Sequence, residues 1–507
     1  MASGPNRPYC PQPFLAYPTF WDGPLPEGLP VLKAPEPDEF ECLNLSITAP
    51  LSGLGDSAQP GREKVPVLVF IHGGAFVGGS QSISLGGREV FDGTNLVRAS
   101  LARDTAVVVV TINYRLGPLG FLASKELEEL SRSNGEPVGN YGLHDQARAL
   151  DWVSRFIGGF GGDPENVTIH GTSAGGSSVH YQAIFPDRKF RRAILSSGTL
   201  IGIGPRTMDE HQAKFEAYVA KFRKSTLSSA EAPAVELLQS VPVDDFVCPL
   251  TPGIFNPLID GVWIPGSTID STQVDDSLEM MIGACAFEQD LAEFLLTDVE
   301  KNKPLPDDEM LQAARDVFSA NGMLSEARSF PHGHPGIAAA YGIENALDQP
   351  SANTEGWAAL IADVAFRIAP VYVAAASKRH RAGGSPILVY EIAATNPFSK
   401  WAWGYRKANH GINDAMLFDV AGDQVPAEHR DEWRPAAAAL QDAWLDFCYG
   451  RRPWEPFAAG EKLGPVYRFE NGSRGTLCWS LEELVGEKVA KRWRALLNAS
   501  RGVESEE

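Results

Sequence analysis

A chain of 507 residues with 44 Lys and Arg against 64 Asp and Glu carries a formal charge of −20. Phosphate contact needs a basic face, so this balance argues against nucleic acid, and against an anionic membrane surface, as a partner. With 44% hydrophobic and 21% charged residues, the composition is that of a soluble enzyme rather than a disordered or fibrous chain.

The first forty residues hold the densest proline and read as an extended segment wrapped on the core. Residues 1–8 contain no apolar stretch of signal-peptide length. A cytoplasmic location is therefore expected, or a secreted one if the true start lies further upstream. No run of eighteen apolar residues occurs, so no transmembrane segment is expected.

Val67-Leu68-Val69-Phe70-Ile71 reads as a buried strand with Pro66 near its start. His72-Gly73-Gly74-Ala75-Phe76 follows it. Small residues there let backbone N–H groups face a cavity. Such preorganised donors stabilise the oxyanion of a tetrahedral intermediate by roughly 2.7–4 kcal/mol each. The candidate donors are the N–H groups of Gly74 and Ala75, joined by Ala174. Taken alone, this stretch is equally a glycine-rich turn without chemistry.

Gly171-Thr172-Ser173-Ala174-Gly175 lies between the apolar run Val167-Thr168-Ile169-His170 and the small-residue run Gly176-Ser177-Ser178-Val179. Strand, sharp turn and helix are the context a nucleophilic serine needs. The turn strains the backbone, points the hydroxyl outward and leaves no room for a Cβ two residues either side. Ser173 is the candidate nucleophile.

Met280-Met281-Ile282-Gly283-Ala284-Cys285-Ala286-Phe287 reads as another buried strand, with Glu288-Gln289-Asp290 at its end. A carboxylate there can fix the tautomer of a catalytic imidazole; Glu288 is the first choice and Asp290 the fallback. Pro386-Ile387-Leu388-Val389-Tyr390-Glu391-Ile392 is a late strand, followed by an aromatic loop and then Ala408-Asn409-His410-Gly411. His410 is the candidate base. His180 follows the elbow too closely to return to it, and His332 and His334 sit in a proline-flanked loop with no cysteine or carboxylate cluster to make a metal site.

These segments occur in the order serine, acid, histidine, and the chain resembles a type-B carboxylesterase of the cholinesterase-like α/β-hydrolase family. The resemblance also rests on Glu41-Cys42-Leu43-Asn44-Leu45, Asn113-Tyr114-Arg115-Leu116-Gly117, Asn140-Tyr141-Gly142-Leu143-His144-Asp145-Gln146, Phe160-Gly161-Gly162-Asp163-Pro164, Arg192-Ala193-Ile194-Leu195-Ser196-Ser197-Gly198, Ile259-Asp260-Gly261 and Ile282-Gly283. It implies an α/β fold with a central, mostly parallel sheet, helices on both faces and helical insertions near 198–260 and 295–382. One domain is expected over residues 1–507. The resemblance further implies a Ser173–His410–Glu288 triad, oxyanion donors at Gly74, Ala75 and Ala174, and a Cys10–Cys42 bridge that would stay open in a reducing compartment. No metal or organic cofactor is expected.

The chain departs from the family pattern at three places near the site. Thr172 stands where a Glu commonly precedes the serine. Phe287 and Gln289 flank the acid in place of Asp and Gly. After His410-Gly411 come Ile412-Asn413, with the acid displaced to Asp414. The expected reaction is ester hydrolysis through an acyl-enzyme. Acyl transfer, cyclisation or elimination would use the same groups, and a non-catalytic adhesion protein is the remaining alternative. The stretch Thr199-Leu200-Ile201-Gly202-Ile203-Gly204 has no aromatic residue, which suggests a roomy acyl pocket. Trp401, Trp403 and Tyr405 either line the approach to the site or pack a loop on the core.

Overall fold

The computed structural model describes residues 7–13, 36–50, 63–85, 87–225, 232–247, 255–266, 274–298, 303–319, 334–380, 384–398, 404–458 and 464–501. Most of the proline-rich first forty residues, with His332, Trp401, Trp403 and Cys248, lie outside them.

Nine strands form the main sheet. In chain order they are β1 Leu45–Thr48, β2 Val65–Ile71, β3 Val108–Ile112, β4 Gly162–Thr172, β5 Arg192–Ser196, β6 Glu279–Cys285, β7 Ile387–Ile392, β8 Val466–Phe469 and β9 Thr476–Cys478. Their spatial order is β1-β3-β2-β4-β5-β6-β7-β8-β9. Only the edge pairs β1/β3 and β8/β9 run antiparallel; the interior pairs are parallel.

Strands buried on both faces read as continuous apolar runs, and here successive residues feed opposite cores. Val67, Val69 and Ile71 join Val108, Val110 and Ile112 in one core. Leu68, Phe70 and Val109 join Trp444 and Phe418 in the other. The covering helices include α1 Tyr141–Phe156, α2 Ala174–Ala183, α3 Gln289–Leu295, α4 Thr354–Ala362, α5 Ala369–His380, α6 Ile412–Phe418 and α7 Arg430–Cys448.

Both expected insertions are helical: Met208–Ser225, Ala234–Gln239 and Val243–Val247 form the first, and Asp307–Ser319, Pro335–Tyr341, α4 and α5 belong to the second. A single π-helical turn, Asp363–Arg367, joins α4 to α5. The run Pro350–Ser377 is long and apolar enough to cross a membrane, where none was expected. Its alanine-rich sequence is broken by occasional charges, so it contains no unbroken apolar stretch of eighteen residues. Of its 18-residue apolar window, 83% is buried inside the protein, as in a core helix.

Candidate active site

The elbow forms where β4 ends and α2 begins. Ser173 has φ 62° and ψ −128°, a left-handed conformation that side chains avoid and that costs about 1–3 kcal/mol. The surroundings hold it there: Ser173 N–H donates to Ser196 O at 2.9 Å, and Ser173 O accepts from Ser177 N–H at 3.0 Å. The flanking glycines are required by contact. A Cβ on Gly171 would strike the backbone of Gly175, and one on Gly175 would strike Ile71 O. Ser173 itself is only half-buried.

Beyond β2 the chain turns through Gly74, Ala75 and Phe76, all at positive φ. Tyr114 anchors this turn: its hydroxyl donates to His72 O at 2.9 Å, and its ring stacks on His72 at 4.4 Å. Gln12 ties down the far side, donating to Gly79 O at 3.0 Å and accepting from Gly79 N–H at 2.7 Å. Among the described residues, the N–H groups of Gly74, Ala75 and Ala174 donate to no protein acceptor. They remain available to an external oxygen.

Glu288 lies three residues past β6, at the start of α3, and is fully buried. Its Oε1 accepts from Cys285 N–H at 3.1 Å, and its Oε2 pairs with His410 Nδ1 at 2.5 Å. Between the two acids left open by the sequence, it is Glu288 that touches the imidazole. Asp290 bonds its own helix through Leu291 N–H at 3.1 Å, and burial raises its carboxyl to about 6, with Lys407 opposing. Burial would press His410 down. The charge and hydrogen bond of Glu288 outweigh it, helped by Asp290 and Asp414, and hold the imidazole above its ordinary value. His410 Nε2 is buried and has no hydrogen-bond partner among the described residues.

The serine, the glutamate and the histidine all follow the carboxyl ends of parallel strands, on the sheet edge where open α/β sheets place their sites. Three other described histidines stand away from the serine. His180 is buried in α2 and accepts from Leu200 N–H at 3.4 Å; His334 stands at the N-terminal end of the helix Pro335–Tyr341, where its backbone carbonyl accepts from Ile337 and Ala338 N–H. Tyr405 faces His429, its hydroxyl 3.4 Å from Nε2. Cys10 and Cys42 are free thiols, Cys10 Sγ donating to Pro11 O at 3.6 Å and Cys42 Sγ to Glu39 O at 3.7 Å, so the bridge implied by the resemblance is not formed in this structure. Among the described residues no cluster of His, Cys, Asp and Glu is arranged to hold a metal ion.

Sequence reading overlooked two features of this site. Phe366, on the π-helical turn, packs against the His410 ring. No local signal marks it. Thr172 and Asp414 are hydrogen-bonded to each other. Both are departures from the family pattern, but nothing in the sequence says that they touch.

Strand order and elbow together define an α/β-hydrolase. A solved structure of PNB esterase agrees in fold, with a TM-score of 0.63 over 95% of this chain and 87% of that one, at 24% sequence identity. The sequence profile of the carboxylesterase family matches residues 6–462, and the chain belongs to that family, whose class is carboxylic ester hydrolase. Relatives include rat bile salt-activated lipase, 29% identical over 490 residues covering 89% of this chain and 72% of the lipase. The human lipase is 27% identical, with 82% of this chain matching 55% of its length. Para-nitrobenzyl esterase of Bacillus subtilis is 41% identical over 175 residues, 34% of this chain and 30% of that protein.

Proposed function

We propose that the protein hydrolyses carboxylic esters through an acyl-enzyme, with Ser173 as nucleophile, His410 as base and Glu288 as the acid that orients it. The observation that carries this reading is the 2.5 Å pairing of His410 Nδ1 with buried Glu288, which leaves Nε2 without a partner. The hydrogen bond from Thr172, next to the serine, to Asp414, four residues past the histidine, brings the two segments together.

In this mechanism His410 Nε2 takes the hydroxyl proton of Ser173 as Oγ attacks the ester carbonyl. Glu288 stabilises the imidazolium that results. The N–H groups of Gly74, Ala75 and Ala174 receive the oxyanion. His410 then protonates the departing alcohol. Water, deprotonated by the same imidazole, attacks the acyl-serine and releases the acid. The names of two relatives, a lipase and a para-nitrobenzyl esterase, support a carboxylic ester as the substrate class.

The test is turnover of a short-chain p-nitrophenyl ester by the wild type and Ser173→Ala, with mass-spectrometric mapping of an organophosphate label. Activity lost in the variant, and a label on Ser173, is the expected result. No turnover and no label in the wild type would reject the reading.

A further inference from the structure

Two places where the chain departs from the family pattern meet behind the nucleophile. Thr172 Oγ1 donates to Asp414 Oδ1 at 2.7 Å. Asn413 Nδ2 donates to Thr172 Oγ1 at 2.7 Å and to Asp414 Oδ1 at 2.9 Å, using both amide hydrogens. Cys285 Sγ donates to Asn413 Oδ1 at 3.6 Å. The chain continues through Cys285 N–H, which is shared between Ser197 Oγ at 3.0 Å and Glu288 Oε1 at 3.1 Å. One buried polar network thus ties together the segments bearing the serine, the glutamate and the histidine.

We propose that Asp414 is a positioning residue of the ester hydrolysis: through Thr172 and Asn413 it fixes the His410 segment against the nucleophile strand, and its negative charge helps Glu288 to stabilise the His410 imidazolium. The inference rests on the triad reading given above.

The residue type at 414 argues for a role of the charge. Oδ1 accepts both hydrogen bonds, and an asparagine oxygen would accept them equally well without a buried charge. Burying a carboxylate is costly, and here burial drives the carboxyl up to about 7, against the opposing effect of Thr172 and His410. With its carboxyl near 7 the group is ionised in the upper part of the range where His410 works, and a carboxylate buried at such a cost points to a use elsewhere in the site. The groups facing it narrow the choice. From β4 come Thr172 and His170, whose Nε2 is 3.9 Å from Oδ1; burial lowers His170 to about 3, so it stays neutral. From β7 comes Tyr390, pushed well above its ordinary value and therefore also neutral. Among the described residues, that leaves His410 as the neighbour whose ionisation the charge can influence near neutral pH.

The experiment is the pH profile of kcat/KM and of kcat for p-nitrophenyl butyrate, comparing wild type, Asp414→Asn and Ser173→Ala. Asp414→Asn keeps the size and the acceptor oxygen and removes the charge. The base works as neutral imidazole, so losing a charge that raises His410 moves the acid limb of kcat/KM to lower pH. The expected shift is about half to one unit, with plateau kcat down roughly threefold to tenfold and KM little changed. An acid limb that does not move, with kcat within about twofold of wild type, overturns the proposal. Should Asp414→Asn not fold, Thr172→Val carries the test: the expected result is a severalfold loss of kcat at unchanged KM, and an unchanged kcat overturns it. Ester hydrolysis retained by Ser173→Ala would instead reject the esterase reading itself.

Discussion

The ring of Phe366 stands edge-on to the imidazole of His410, with centroids 5.1 Å apart and planes at 63°. Phe366 sits on the π-helical turn Asp363–Arg367, a rare conformation that recurs at functional sites. That turn also presses on the Thr199–Gly204 stretch, since a Cβ on Gly202 would come within 3.0 Å of Ala365 O. An edge-to-face pair is worth about 0.5–1.5 kcal/mol beyond its burial. Phe366→Ala is therefore expected to lower kcat on p-nitrophenyl butyrate by roughly twofold to tenfold, as measured by initial rates.

The stretch beside that turn carries Leu200, Ile201 and Ile203, all buried and none aromatic. Aliphatic walls accept a longer acyl chain through apolar contact, at about 0.8 kcal/mol per buried CH₂. In a series of p-nitrophenyl esters, kcat/KM is expected to rise from acetyl to butyryl. A strong preference for acetyl would contradict this reading of the pocket.

Glu288 holds His410 above its ordinary value against the opposing effect of burial. The acid limb of kcat/KM for the wild type is then expected above pH 6.5, the ordinary histidine value. Glu288→Gln removes the charge that wins this competition and also changes the tautomer the partner selects. Its activity is expected to fall by on the order of 10³–10⁴-fold, with the residual limb displaced to lower pH.

Asp414 makes a prediction about stability whose sign runs opposite to that of a paired surface acid. Its folded carboxyl is raised to about 7 from 3.8, so between those values the folded state binds more protons than the unfolded state. Stability therefore falls as pH rises through that window and levels off above it; below 3.8 the group contributes no difference. Asp414→Asn lifts the penalty. Its melting temperature relative to wild type is expected to improve at pH 8 compared with pH 4, by on the order of 1–3 °C in calorimetry. A variant that gains alkaline stability while losing turnover would show a charge retained for activity rather than for folding.

Gly198 follows β5 directly behind the nucleophile, and a Cβ there would run into the carbonyl of Ser173. Gly198→Ala must displace the strained elbow, an overpacking cost of about 1–3 kcal/mol. Activity is expected to fall at least tenfold even in preparations whose circular dichroism matches wild type.

The strands around the site were legible because a parallel sheet buried on both faces demands unbroken apolar runs. The run 67–71 falls within β2, and 280–287 overlaps β6, which ends at Cys285. Glu288 is less legible. It sits beyond the strand, in the first turn region of α3, where Asp290 is an equally ordinary acid; only the 2.5 Å contact to His410 separates them. The run Pro350–Ser377 holds no eighteen apolar residues in a row, because Glu355, Asp363 and Arg367 interrupt it, and only its mean character is that of an apolar span.

Chemistry confined to a few adjacent residues was determined by the sequence alone. The elbow is such a case: the positive φ of Ser173 and the close approach of Gly171 to the backbone of Gly175 are local demands that only particular residues meet. The glycine turn after β2 is another. The tertiary structure decided what depends on residues far apart in the chain. Thr172 and Asp414 are 242 positions apart, and His410 and Glu288 are 122 apart. Phe366 reaches His410 only because a π-helical turn aims it there. Hydrogen bonds and ring contacts act over a few ångströms, and sequence patterning carries no record of which distant side chains the packed sheet will bring within that range.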